Sequence, residues 1–164
     1  MTGREPVPRG VRLCLDPGTV RIGVAACDRE LTLAYPVETV AARPDPVPRL
    51  RELVALYEPV AVVVGLPRTL EGTEGPAAAR ARDWAAAVAS ALDPVPVGLV
   101  DERLSTAAAA KQMAAAGRGS RARRGVVDQA AAVTILESVL DADRRGQSTW
   151  QRVNPPVSRP EETR

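Results

Sequence analysis

Histidine is missing from this chain of 164 residues. Its absence excludes the Ser-His and Cys-His forms of nucleophilic catalysis, and it excludes imidazole as a general base. Any chemistry that the protein performs must therefore come from carboxylates, arginines, hydroxyl groups or bound metal ions.

Aromatic residues are almost as scarce. Phenylalanine is missing, and the aromatic side chains are those of Trp84, Trp150, Tyr35 and Tyr57. Proteins that recognise single-stranded nucleic acids commonly stack bases on aromatic side chains. The composition therefore disfavours recognition by base stacking.

The sequence also lacks a run of about eighteen apolar residues and a basic-then-apolar leader. We therefore expect no membrane association and a cytoplasmic location.

Cys14 and Cys27 fit reduced thiols in strands, and no cysteine spacing resembles a zinc site. Length and an apolar content of 45% fit one domain. We place it at residues 11–145, between a flexible N-terminus at 1–10 and a disordered C-terminal tail at 146–164.

What the sequence does contain is a carboxylate inside an apolar hairpin at residues 13–26, where Asp16 ends the first of two apolar runs. A buried carboxylate costs several kcal/mol unless a cation, a metal or hydrogen-bond donors compensate it. Asp16 is either a turn residue, since Asp-Pro-Gly-Thr is good turn chemistry, or a ligand for a metal or a metal-bound phosphate. If Asp16 is a ligand, Gly18 and Thr19 allow backbone amides to approach an anion.

The remaining apolar patterns predict an α/β fold. A continuous apolar run at 60–64, closed by Gly65, is typical of a parallel strand that is covered on both faces. The predicted sheet has five strands, three antiparallel and then two parallel, with helices on both faces and Asp16 on the central strand. The predicted strands lie at about 11–16, 21–27, 31–40, 60–64 and 97–100, and the predicted helices at about 47–57, 76–91, 105–116 and 127–142.

Three carboxylates can converge at the carboxyl ends of these strands. Asp16 closes the first strand, Glu102 follows the last, and Asp128 lies at the start of the predicted final helix, where the macrodipole favours an anion. Taken singly, each also fits an ordinary structural role, as a turn residue, a surface partner of Arg103 or a helix-start residue. Asp101 is an alternative to Glu102, because strand alternation lets only one of the two face the site.

Together the acids fit a divalent-metal site. Carboxylate oxygens are ligands that Mg²⁺ and Mn²⁺ take, and two such ions roughly 3.5–4 Å apart would activate a water and stabilise the leaving oxygen of a phosphodiester. This chemistry needs no histidine.

Arginines cluster just before Asp128, although the net charge of the chain is only +2. The predicted loop at 117–125 carries Arg121, Arg123 and Arg124, which can grip a phosphate backbone beside the acids. A solvated basic loop is the alternative interpretation. The segment 66–75 is either a cover for a nucleic-acid strand or a flexible connector.

The chain resembles the YqgF/RuvX family, bacterial RNase H-fold proteins described as Holliday junction resolvases and as nucleases that mature the 5′ end of the small-subunit ribosomal RNA precursor. The resemblance extends over about residues 11–142. It is carried by Asp-Pro-Gly-Thr-Val-Arg-Ile-Gly-Val-Ala at 16–25, Val-Val-Gly-Leu-Pro at 63–67 with Glu-Gly-Thr-Glu-Gly at 71–75, Asp-Glu-Arg-Leu-Ser-Thr at 101–106, and Val-Asp-Gln-Ala-Ala-Ala-Val-Thr-Ile-Leu-Glu at 127–137.

The resemblance implies an RNase H-like sheet and a metal-dependent endonuclease whose catalytic and metal-binding acids are Asp16, Glu102 and Asp128. It favours Glu102 over Asp101. Arg21 and Arg103 fall on motif positions, where they contact substrate phosphate, steady the acids or form structural salt bridges. Val20, Val126 and Ala108 stand where the family pattern has other residues, which puts the details of phosphate contact in doubt but not the acids.

Other functions remain as alternatives. Asp-x-Gly-Thr before a hairpin also opens actin-like kinases, but this chain has no second phosphate loop. A non-catalytic nucleic-acid-binding module would not need the acids. RNA processing and junction resolution use the same residues, and paired cuts in a junction would favour a homodimer over a monomer.

Overall fold

A mixed sheet of six strands forms the centre of the computed structural model, which describes residues 9–67, 73–104 and 121–153. The sheet order is β3-β2-β1-β4-β5-β6. The strands are β1 (Arg12–Pro17), β2 (Arg21–Cys27), β3 (Ala34–Ala41), β4 (Ala61–Leu66), β5 (Val97–Asp101) and β6 (Trp150–Val153).

The pairing of the first five strands confirms the predicted topology. β1, β2 and β3 form an antiparallel meander, while β4 pairs parallel to β1 and β5 pairs parallel to β4. Every residue of β4 is buried, as its continuous apolar sequence predicts. Asp16 therefore ends a strand with neighbours on both sides.

Helices cover both faces of the sheet. They are α1 (Val47–Tyr57), α2 (Pro76–Leu92) and α3 (Arg121–Arg144), and a short 3₁₀ turn (Glu102–Leu104) follows β5. Alternate residues of the strands divide the core, because successive side chains point to opposite faces. Leu13 and Leu15 pack with α1 and α2, whereas Cys14 packs with α3. Asp16 shares the face of Cys14 and so lies on the α3 side.

The C-terminal half of α3 is attached to the sheet by two arginines. Arg12 on β1 is fully buried and forms an ion pair with Asp143, and Arg144 Nε donates a hydrogen bond of 3.1 Å to the carbonyl of Leu31. The amide of Arg12 also donates to the thiol of Cys27. Burial raises the pKa of that thiol, so Cys27 is held in its neutral form. Cys14 and Cys27 form no disulfide with each other, as predicted, and both are buried.

The predicted count of five strands is wrong, because β6 is a sixth strand within the segment predicted to be a disordered tail. It pairs antiparallel with β5, and Val100 faces Trp150. Trp150 is buried against Gly98, where a Cβ would lie 1.8 Å from the indole ring. A four-residue strand with one deeply buried side chain carries almost no periodic signal. The rest of the predicted tail, 154–164, lies outside the described residues.

Two predicted boundaries also differ from the structure. The third strand begins at Ala34 and not at 31, because the preceding residues form a turn around Asp28. Its carboxylate accepts hydrogen bonds of 2.8 Å from the amides of Thr32 and Leu33, and bonds to Thr32 lower its pKa. The final helix begins at Arg121, so residues 121–125 are helical and do not form the predicted loop.

Other predictions fall on residues that the structure does not describe. These are the helix at 105–116, most of the flexible N-terminus and residues 68–72 of the Gly-rich connector. Among the helices that are described, none combines the length and the apolar character needed to cross a membrane.

Candidate active site

The candidate site surrounds Asp16, the buried acid near the end of β1. Its side chain is on the α3 face and only 2% of the residue is exposed. Across the antiparallel ladder Asp16 faces Gly23 of β2. On the other side Leu15 faces Val64 of β4, so the next step of the ladder brings Gly65 beside Asp16. The acid thus stands between two glycine positions.

Gly23 lets α3 approach the sheet. A Cβ at this position would lie 2.0 Å from the carbonyl oxygen of Asp128 and 2.4 Å from its carbonyl carbon. No side chain fits at that separation, so only glycine is compatible with the observed helix position. The approach brings the backbone of Asp128 over the strand position beside Asp16.

Gly65 makes the corresponding room for Glu102. A Cβ there would lie 3.0 Å from Glu102 Oε1 and 3.0 Å from Cδ1 of Ile135 on α3. Glu102 begins the 3₁₀ turn after β5, and 5% of it is exposed. Its carboxylate therefore covers the strand position on the other side of Asp16, beneath the same helix.

Asp101, the alternative to Glu102, is engaged by Arg103. The backbone amide of Arg103 donates to Asp101 Oδ1 at 2.9 Å, and its guanidinium donates to Oδ2 at 2.7 Å. These bonds raise the pKa of Arg103. The structure thus places Glu102 on the face of Asp16, and it places Arg103 as the partner of Asp101.

Arg21, on strand β2, forms an ion pair with Asp128 of α3. Arg21 Nε and Asp128 Oδ2 are 2.7 Å apart, and 28% and 22% of the two side chains are exposed. The prediction that Asp128 lies at the start of its helix is wrong, because α3 begins at Arg121. Its position is therefore fixed by the close contact at Gly23 and by this ion pair, since a helix dipole acts mainly within the first turn.

Thr39 and Gln129 fix the same part of α3, and sequence reasoning missed both. Thr39 Oγ1 on β3 donates to the carbonyl of Gly125 at 2.8 Å and accepts from Gln129 Nε2 at 3.0 Å. Gln129 follows Asp128 directly in the last motif, which is a usable signal. Nothing in the sequence around Thr39 points to the site. Gly23 was recognisable in principle, because a glycine inside a strand marks a close backbone approach.

The fold brings the three acids to the same end of the sheet, but their side chains do not form a compact metal-binding cluster. Across residues 9–67, 73–104 and 121–153, no three acidic or cysteine side chains are near enough together to hold a metal ion. Asp16 and Glu102 are the buried members, and Asp128 is engaged with Arg21. The donor set still suits a hard cation, because all three offer carboxylate oxygens. Joint coordination of a metal by these acids stays a prediction.

The remaining predicted site residues lie in the β1–β2 turn and in α3. Gly18 and Thr19 are exposed, and the amide of Gly18 donates to the carbonyl of Arg21 at 2.9 Å, which closes the turn. A Cβ at Gly18 would lie 2.7 Å from that carbonyl oxygen. The arginines predicted to bind phosphate beside the acids have helical backbone, and their side chains are not among those that the structure describes. They are Arg121, Arg123 and Arg124.

Comparison with known proteins identifies relatives over almost the whole chain. A protein named "Putative pre-16S rRNA nuclease" from Cutibacterium acnes is 55% identical over 139 residues, which are 85% of this chain and 87% of that protein. A protein of the same name from Streptomyces coelicolor is 54% identical over 138 residues, 83% of each chain.

The fold is shared with RuvC. The structure titled "T. thermophilus RuvC in complex with Holliday junction substrate" has a TM-score of 0.57 and 20% identity, and the match covers 88% of this chain and 99% of that one. This likeness confirms the RNase H-like architecture. The family model RuvX, described as Holliday junction resolvase, matches residues 10–142. The chain therefore belongs to the RuvX family.

Proposed function

We propose that this protein is a metal-dependent endonuclease that processes the 5′ end of the small-subunit ribosomal RNA precursor. The observation that carries the proposal is the placement of Asp16, Glu102 and Asp128 around two glycines at one end of the sheet, in a chain without histidine. RNA is favoured because relatives about as long as this chain, at 54–55% identity, carry the name pre-16S rRNA nuclease.

Asp16, Glu102 and Asp128 would hold Mg²⁺ or Mn²⁺, and two ions suit the cleavage of a phosphodiester. Bound divalent ions supply an activated water and stabilise the leaving oxygen. The fold contributes rigidity to two of the ligands, because Asp16 belongs to a strand paired on both sides and Glu102 is packed against Gly65. Asp128 is more exposed than these two acids, and its carboxylate is paired with Arg21.

The nucleic acid would approach from the exposed side of the β1–β2 turn. Gly18, Thr19 and Val20 are exposed there, and Arg21 follows directly. Arg121, Arg123 and Arg124 lie two turns or less before Asp128 on α3, which places three positive charges along the same approach. Arginines that bind backbone phosphates orient the strand by its shape and carry little sequence information. Arg103 neutralises Asp101, so its part in phosphate binding is secondary.

Cleavage of a four-way DNA junction is the second candidate, and the family description and the RuvC fold favour it. Paired cuts in such a junction would favour a symmetric dimer, whereas processing of an RNA end would not require one. A non-catalytic binding module is the third candidate, and the three acids argue against it. We place the enzyme in the cytoplasm, where ribosomal precursors are processed in bacteria.

The test compares labelled precursor RNA with a labelled four-way DNA junction, each with Mg²⁺ or Mn²⁺ and with excess EDTA, at a measured oligomeric state. Asp16→Asn should abolish cleavage and leave folding and most binding intact. Asp83→Asn is the matched control, because Asp83 is exposed on α2, which packs against the opposite face of the sheet. Full activity of Asp16→Asn, or full activity in EDTA, would refute the proposal.

A second test addresses the basic segment of α3. Reversal of Arg121, Arg123 and Arg124 to Glu should weaken binding and flatten the dependence of log K on log salt, because each lost phosphate contact removes counterion release. Reversal of the exposed Arg29 and Arg80 should leave that slope unchanged. An unchanged slope in the triple variant would remove this segment from the interface.

A further inference from the structure

The ion pair between Arg21 and Asp128 is a single contact. Arg21 Nε donates to Asp128 Oδ2 at 2.7 Å, and this is the one hydrogen bond that the guanidinium makes to the described part of the chain. The pair formed by Arg103 and Asp101 is different, because there Nε and Nη2 both donate to the same carboxylate. Bidentate pairs of arginine and carboxylate are the stronger type. The bond between Arg21 and Asp128 is therefore the easier one to exchange.

Both partners have capacity for another ligand. A guanidinium carries five N–H donors, and Arg21 uses one of them on Asp128. The Asp128 carboxylate uses one of its two oxygens in this bond. About a quarter of each side chain is exposed, so water and solutes reach the pair. The pair is thus poised to open at modest cost, since ion pairs of this exposure contribute little.

Arg21 lies beside the proposed entrance for nucleic acid. It is the first residue of β2 and directly follows the exposed residues 18–20. The Asp128 side chain is bonded to Arg21, and Asp16 and Glu102 are buried beside the glycines. Opening this one pair would release a phosphate-binding cation and a metal-binding acid together.

We propose that Arg21 is a positioning residue that exchanges Asp128 for a backbone phosphate of the bound nucleic acid. Without nucleic acid Arg21 restrains Asp128 and the metal site is incomplete. A phosphate that takes over the guanidinium leaves Asp128 available to the divalent ion, so binding of nucleic acid strengthens binding of the metal. By linkage, metal bound first strengthens binding of nucleic acid by the same factor. This inference rests on the proposed function, because it takes Asp128 as a metal ligand.

The opposite role for Arg21 makes the opposite prediction. If Arg21 instead holds Asp128 in the orientation that coordinates the metal, its removal weakens metal binding. If Arg21 competes with the metal, its removal strengthens metal binding and reduces the effect of nucleic acid.

The experiment measures Mn²⁺ binding to the full chain by isothermal titration calorimetry and by the loss of the free Mn²⁺ signal in electron paramagnetic resonance. It is done without nucleic acid and with precursor RNA made uncleavable by 2′-O-methylation. Arg21→Met should bind Mn²⁺ about 1.5-fold to fivefold more tightly than the wild type in the absence of RNA, the range expected for an ion pair of this exposure. Added RNA should tighten Mn²⁺ binding less in Arg21→Met than in the wild type.

Arg103→Met is the matched control for lost charge, since Arg103 adjoins Glu102 but pairs with Asp101. The proposal requires a larger gain from Arg21→Met than from Arg103→Met. An equal gain, no gain or weaker binding in Arg21→Met overturns it, provided that thermal unfolding shows each variant to be folded. Arg21→Lys, which retains the charge, should restore the wild-type coupling in part.

Asp16→Asn separates this inference from the proposed function. If the wild type binds Mn²⁺ and Asp16→Asn abolishes that binding, the result supports the metal site, whatever the effect of Arg21→Met. Mn²⁺ binding that is absent from the wild type, or unaffected by Asp16→Asn, overturns the metal site and the exchange together.

Discussion

Replacement of Gly23 by alanine tests whether close contact between α3 and β2 builds the site. A Cβ at Gly23 would lie 2.0 Å from the Asp128 carbonyl oxygen, whereas ordinary contact begins at 3.4 Å. The atoms in the way belong to backbone and cannot rotate aside, so α3 must retreat by about 1.4 Å. That retreat would lengthen the Arg21 and Thr39 bonds that hold this part of the helix.

The expected cost follows from these contacts. Overpacking of a core typically costs about 1–3 kcal/mol, and one weakened hydrogen bond adds about 1 kcal/mol. We therefore expect Gly23→Ala to lower the free energy of unfolding by about 3 kcal/mol, which lowers Tm by about 6–12 °C in a protein of this size. Urea unfolding followed by tryptophan fluorescence, together with calorimetry, measures both quantities.

Two further glycine variants make the test specific. Gly75→Ala is the control, because a Cβ there meets nothing within 4 Å, and it should cost less than about 1 kcal/mol. Gly65→Ala meets the ends of two flexible side chains at 3.0 Å, so it should cost about 1 kcal/mol but displace Glu102 and abolish cleavage. If Gly23→Ala were as stable as Gly75→Ala, the argument that glycine sets the helix position would be refuted.

Three other perturbations test the rest of the fold. Asp143→Asn removes the carboxylate charge that pairs with the buried Arg12 guanidinium and should cost about 3 kcal/mol in urea unfolding; a cost below about 1 kcal/mol would contradict the contribution of this pair. Trp150→Ala should cost about 3 kcal/mol and speed hydrogen exchange in β6, whereas no change would mean that β6 is not docked. Hydrogen bonds from Arg49 lower the pKa of Glu38, so their stabilisation is present above the ordinary glutamate pKa of about 4.3 and is lost as pH falls through the lower native value. Glu38→Gln should therefore be less stable than the wild type at pH 7, and the difference should shrink as the pH is lowered below the ordinary glutamate pKa of about 4.3; a difference that stays constant with pH would contradict this linkage.

The sheet was predictable because its strands carry strong and local signals. The turn at 17–20 and the uninterrupted apolar run at 60–64 fix the central strands, and short connections leave few ways to order them. The strand β6 was not predictable, because its docking depends on the space above Gly98, which only the folded sheet creates. Local periodicity contains no such information.

The candidate site residues come from the sequence motifs, whereas their arrangement comes from the folded chain. The motifs single out Asp16, Glu102 and Asp128 and favour Glu102 over Asp101, and the structure adds that Asp101 pairs with Arg103. The start of α3 was misplaced because glycine and arginine at 117–125 are typical of a loop. Residues 121–125 are helical nonetheless, and Thr39 Oγ1 donates to the carbonyl of Gly125.

The most direct test of the metal-dependent nuclease is a crystal structure of the protein bound to precursor RNA made uncleavable by 2′-O-methylation and soaked in Mn²⁺, with anomalous diffraction recorded to locate the ion. The account predicts an anomalous peak at the end of the sheet, coordinated by carboxylate oxygens of Asp16, Glu102 and Asp128, with the Arg21 contact to Asp128 opened. The absence of a peak there, or a peak coordinated by other residues, would contradict it.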